Sequence, residues 1–245
     1  MQKKLAMFNT LVWSVVAIGM IGVVGELFKN NRLWNFRVAD FIDLVITAPI
    51  FIIMVIMIYM KLPQKENNHL LRMVYMYASG QLVYGHAMHL TANSINVFST
   101  VVQGYDLPAD AYALIYFLDE RMSHILAFSA AVVIFGCLLV ADYLEPASFD
   151  NQRYLSPFVW GLVCSIGFGF AILEGQALVL GLILIATIGI LWFYLWKRRN
   201  QDLKQYLQTG PIIAFIFAVI PSTLGLLIIY RLIFGSFIEP LKLFI

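Results

Sequence analysis

Gly85-His86-Ala87-Met88-His89-Leu90-Thr91-Ala92-Asn93 sets two histidines and an asparagine inside an apolar segment, Met73 to Phe98, that is long enough to cross a membrane. Leu118-Asp119-Glu120-Arg121-Met122-Ser123-His124 repeats the feature in the next apolar stretch, Ala111 to Val140. Three of the four histidines of the chain lie in these two runs. Hydrocarbon penalises an ionisable side chain by about 2.5–3.5 kcal/mol at mid-membrane, so such groups mark a site by default.

The flanking sequence fixes the class. Of 245 residues, 61% are hydrophobic and only 12% charged, and the mean hydropathy is +0.83, outside the range of a soluble domain. Seven segments reach the roughly 20 apolar residues a spanning helix needs: 7–28, 41–62, 73–98, 111–140, 155–174, 177–196 and 211–234. The expected fold is therefore all-α, a single polytopic domain forming a seven-transmembrane helix bundle. The first segment follows Lys3 and Lys4, lacks a small-residue cleavage site and reads as a retained helix. Cys137 and Cys164 fall inside apolar segments without metal-ligand spacing and read as small core residues.

Basic residues set the expected orientation. With the N-terminus cytoplasmic, Lys3, Lys4, Arg153, three residues of the Lys61 to Arg72 connection and four of the Lys197 to Lys204 run place ten of the sixteen basic residues on one side. The aromatic run Trp192, Phe193, Tyr194 and Trp196 precedes the last of these as an interfacial belt. The C-terminus is then extracytoplasmic, although Lys29, Arg32 and Arg37 in the first outer loop run against the bias. The net charge of +2 carries no implication of nucleic acid, because the cations cluster between spans. Short loops without appended domains point to a bacterial inner membrane.

This topology brings the intramembrane polar residues to one depth. Glu26 ends segment one and Asp43 begins segment two. His86, His89 and Asn93 lie late in segment three, and Asp119, Glu120, Ser123 and His124 early in segment four. Glu174 closes segment five and Arg231 lies near the end of segment seven. His86 and His89 are three apart, and Glu120 and His124 four apart, so each pair shares a helical face. Two imidazoles from one helix, with an imidazole and a carboxylate from the next, form a ligand set for zinc or iron: His86, His89, His124 and Glu120, completed by Glu174 or Asp43. Asp119 and Glu120 are the candidate catalytic bases, and Glu26, Asn93, Ser123 and Arg231 are orienting groups or alternative ligands. Each residue taken singly also has a structural reading, as an interhelical hydrogen-bonding group or a water-facing helix end.

The expected chemistry is metal-dependent hydrolysis of a lipid-like ester or amide, with membrane lipids as surroundings and source of substrate. The arrangement resembles in general type the seven-helix membrane hydrolases related to alkaline ceramidases and adiponectin receptors, which use histidines and an aspartate around zinc. Segment seven lacks the histidine pair that family carries on its last helix, so no residue is transferred from it. A non-haem iron oxidoreductase, or less readily a haem protein, would draw on the same residues. An ion or proton transporter is the remaining alternative. A retinal Schiff base is excluded, because segment seven has no lysine.

Overall fold

The computed structural model describes residues 2–28, 31–33, 36–63, 68–99, 107–146, 155–174 and 177–237. Its long helices are α1 (Gln2–Leu27), α2 (Val38–Lys61), α3 (His69–Val97), α4 (Ala109–Leu144), α5 (Leu155–Glu174) and α6 (Leu178–Arg199). A one-turn helix α7 (Leu203–Leu207) and the long α8 (Pro211–Phe234) complete the order. Between α1 and α2 two residue pairs, β1 (Arg32–Leu33) and β2 (Phe36–Arg37), form a minimal antiparallel ladder.

Five helices, α2, α4, α5, α6 and α8, are long and apolar enough to cross a membrane, which makes the chain a multi-pass membrane protein. In α1 the apolar run is described over Lys4–Ile18. In α3 the hydropathy is diluted by Gln81, His86, His89, Asn93 and Asn96. Large apolar side chains point outwards, Leu232 at 77% and Ile190 at 70% exposure, as a lipid-facing surface requires.

Local signals end the helices where the sequence supplies them. Lys197, Arg198 and Arg199 occupy the last turn of α6, where cations meet the free carbonyls, and Asn200 closes it with a left-handed φ of 51°. Asp202 caps α7 by accepting from the Gln205 backbone N–H at 2.8 Å. Pro49 lies within α2, and a proline there removes one backbone donor and crowds the carbonyl four residues earlier. The helix answers by widening into a π-helical turn over Asp43–Thr47, immediately before the proline. A second π-helical stretch, Phe117–Met122, interrupts α4 and carries both Asp119 and Glu120.

Helix α3 packs most closely on α4, α5 on α8, and α1 on α2. The core gathers around the first half of α8, where Ile212, Ile213 and Phe215 are fully buried and Phe8 meets Phe215 edge to face at 5.7 Å. Small residues allow the closest approaches. A Cβ at Gly161 would lie 2.6 Å from the Phe215 carbonyl oxygen and 2.7 Å from Ala218 Cβ. We expect Gly161→Ala to push α5 from α8 and cost about 1–3 kcal/mol. Unfolding of detergent-solubilised protein reads this directly, and an unchanged midpoint would mean that the two helices part without penalty.

At the end of the bundle away from the histidines, Asp142 is fully buried near the C-terminus of α4. Its Oδ2 accepts from the backbone N–H groups of Ile212 (2.8 Å) and Ile213 (3.4 Å), donors of the first turn of α8 that have no intrahelical acceptor. Lys4 Nζ lies 3.3 Å from Asp142 Oδ1 and donates to the Asp142 carbonyl oxygen at 3.1 Å. Gly210 admits the carboxylate, since a Cβ there would sit 2.2 Å from Oδ2. This buried charge pair is absent from the expectation of ionisable groups at one depth only. Its acid lies two residues beyond the apolar segment read from the sequence.

Candidate functional site

Helix α3 presents its polar residues to two neighbours at once. His86 and Asn93 are seven apart, two turns on one face, and that face meets α2. Asn93 Nδ2 donates to Asp40 Oδ1 at 3.1 Å. Asp40, only 5% exposed, also accepts from Arg37 Nε at 3.1 Å and Nη2 at 3.2 Å. One turn further along α2, Asp43 Oδ2 lies 3.3 Å from His86 Nε2, and the Phe51 ring packs on the His86 imidazole at 5.3 Å. The π-helical turn begins at Asp43, so the distortion provoked by Pro49 also sets the direction of this carboxylate.

His89, three positions after His86, points round to α4. Its Nδ1 lies 2.6 Å from Asp119 Oδ1, and its ring centroid is 5.7 Å from that of His124 at an interplanar angle of 33°. His124 Nδ1 lies 2.7 Å from the Glu120 carbonyl oxygen, and Ser123 Oγ donates to the Asp119 carbonyl. Both backbone acceptors belong to the Phe117–Met122 stretch, where the wider turn frees carbonyls that a regular helix would occupy. Gly85 lets the helices close beneath the pair, since a Cβ there would be 3.0 Å from the Ser123 carbonyl oxygen. The imidazole–carboxylate approaches at His86 and His89 are bent away from linear hydrogen bonds.

An oxygen acceptor at one ring nitrogen favours the proton there and leaves a lone pair on the other. The Glu120 carbonyl lies at Nδ1 of His124 and the Asp119 carboxylate at Nδ1 of His89, an arrangement that favours a proton on Nδ1 of each neutral ring and a lone pair on Nε2. That tautomer suits either a metal ion or proton exchange. The site is accessible: the His89 side chain is 40% exposed and that of Asp119 13%.

No known family model, curated protein or solved structure matches the chain. The site therefore stands on its own geometry. Among the described residues, no group of three or more His, Cys, Asp or Glu side chains is gathered closely enough to hold a metal ion. The residues expected to act together are divided, with His86 and Asp43 at the α2 interface and His89, Asp119, Glu120 and His124 at the α4 interface. Arg231 is exposed and lies over the Phe237 ring at 5.8 Å. The side chains of Glu26 and Glu174 lie outside the described residues.

Sequence reasoning passed over Asp40 and took Arg37 only as a loop cation; both lie just before the expected start of segment two. Arg37-Val38-Ala39-Asp40-Phe41-Ile42-Asp43 carries charges at steady three-residue intervals, the helical spacing that would have disclosed them. Gln81 was also missed. It donates to Ser129 Oγ at 2.6 Å and to the Leu126 carbonyl at 3.2 Å, a polar tie between α3 and α4 two turns below His89.

Proposed function

We propose that the chain is a membrane-embedded, metal-dependent hydrolase of a lipid-like ester or amide, with His89, His124, Asp119 and Glu120 at its centre. The observation that carries this reading is the pairing of His89 with Asp119 at 2.6 Å beside His124, whose Nδ1 is held by a backbone carbonyl. Carboxylate and carbonyl anchors behind metal-binding imidazoles fix ring orientation and raise ligand basicity. A bound divalent ion, zinc before iron, would supply Lewis acidity and a water that loses its proton near neutral pH. The ring centroids of His89 and His124 lie 5.7 Å apart, and these two imidazoles are the residues that would hold such an ion. Glu120 would serve as a further ligand or as the general base if its side chain moved to join the two imidazoles, and Asp119 would hold His89.

His86, expected as a ligand, orients the α2 wall through Asp43. We further infer seven crossings, with α1 and α3 joining the five apolar helices. The end bearing Lys4, Lys61, Arg72 and the Lys197 to Lys204 run is assigned to the cytoplasm of a bacterial inner membrane. The histidine site then opens in the outer half of the bilayer, where a lipid enters sideways.

A proton-transport reading draws on the polar stripe of α3, in which Arg72, Tyr75, Ser79, His86, His89, Asn93 and Asn96 recur at three- and four-residue steps. Between Ser79 and His86 the Gln81 amide is committed to Ser129 Oγ and the Leu126 carbonyl of α4, and Leu82 packs against the core, which interrupts the stripe.

Elemental analysis of detergent-purified protein, with His89→Ala and His124→Ala alongside, tests the proposal. Near-stoichiometric zinc lost in both variants, together with hydrolysis of lipid esters or amides lost in parallel, is the expected result. Stoichiometric iron would redirect the chemistry to oxygen, and gently purified protein without bound metal would overturn the metal assignment.

A further inference from the structure

At the end of the bundle opposite the histidines, a cleft opens between the start of α1, the end of α2 and the end of α4. It is lined by Lys4, Met7, Lys61, Leu62, Pro63 and Glu145, among others. Its charges are arranged rather than scattered. Lys4 is fixed by Asp142, which neutralises it from behind. Lys61 Nζ donates to Thr10 Oγ1 at 2.6 Å, an uncharged partner that leaves its positive charge unneutralised by that contact. Glu145 sits one residue past the end of α4 and lines the same cleft, and no ion pair engages it among the described residues.

With Lys4 held by Asp142, the described lining adds one further ammonium, Lys61, and one further carboxylate, Glu145, which also lies within electrostatic reach of Lys4. A purely anionic ligand would gain Lys61 and meet Glu145 unfavourably, and a purely cationic ligand the reverse. A dipolar ligand with a phosphate and a primary ammonium satisfies both. The cleft lies at helix ends, the level at which headgroups meet a multi-pass protein, with the buried apolar Met7 and Leu62 beneath. We propose that it binds the phosphoethanolamine headgroup of a membrane lipid, with phosphate on Lys61 and the third donor of Lys4, and ammonium on Glu145. A choline headgroup has no N–H to give Glu145, and a glycerol headgroup has no cation, so the site discriminates by headgroup alone.

The test is native mass spectrometry of the full chain in detergent, titrated with phosphatidylethanolamine, phosphatidylcholine and phosphatidylglycerol of identical acyl chains. Phosphatidylethanolamine is expected to bind about ten-fold tighter than either, the scale of one charge-assisted hydrogen bond. Glu145→Gln should erase this preference while leaving unfolding unchanged, and Lys61→Met should weaken binding of both phosphatidylethanolamine and phosphatidylglycerol. Equal binding of the three lipids by the native chain, or tighter binding of phosphatidylglycerol, overturns the proposal. Displacement by water-soluble phosphoethanolamine at concentrations comparable with the lipid overturns the lipid source.

Discussion

Asp142→Ala is expected to cost about 3–5 kcal/mol, more than the Gly161→Ala change at the α5–α8 contact. The carboxylate is fully buried, and its removal strands three groups at once: the Lys4 ammonium and the N–H donors of Ile212 and Ile213. An unpaired buried charge and orphaned helix-terminal donors are each expensive in a water-free interior. Lys4→Met is expected to cost less, because the two backbone donors still solvate the carboxylate. Replacing the pair together, Lys4→Met with Asp142→Leu, should recover part of the loss, since buried ion pairs exchanged whole for apolar groups are often close to neutral. Unfolding in mixed detergent micelles measures all three. If the double variant were as unstable as the sum of the singles, the pair would not be coupled and the geometry at the start of α8 would carry the effect alone.

Asp119→Asn should lower metal affinity and hydrolytic kcat/KM by about 10- to 100-fold, the usual consequence of losing a carboxylate behind a ligating imidazole. Asparagine keeps the size of the side chain but removes the charge that favours the proton on His89 Nδ1. Asp43→Asn, the equivalent change at His86, should have a smaller effect, because His86 faces α2 rather than the His89–His124 pair. Metal titration with parallel kinetics on both variants separates the two interfaces. Equal losses at Asp43 and Asp119 would show that His86 and His89 serve one centre, as the shared helical face suggested.

Much of the fold was legible because apolar length is a direct physical requirement of a bilayer. Each of the seven apolar segments lies in a helix, with ends displaced by a few residues where polar side chains extend the turn beyond the hydrocarbon-like run, as at Val38 to Asp40 and Ala141 to Leu144. The site was legible as a set of residues and not as a partition. Three-residue spacing makes His86 and His89 neighbours, but it also turns them about 60° apart, and that rotation divides them between α2 and α4. Asp142 was illegible for another reason. Only the fold brings residue 142 to Ile212 and Lys4, and no local pattern announces a carboxylate that serves another helix.

The π-helical stretch Phe117–Met122 changes the phase of α4. A widened turn acts as one extra residue threaded into a continuous rod, and shifts everything beyond it by about 100° of azimuth relative to a regular helix. A single helical wheel drawn over Ala109–Leu144 therefore assigns one half of the rod to the wrong side. The wheel has to be restarted after Met122. Read as two rods in phase with their own neighbours, the first half delivers Asp119 and the second delivers Asp142, one acid to each end of the bundle.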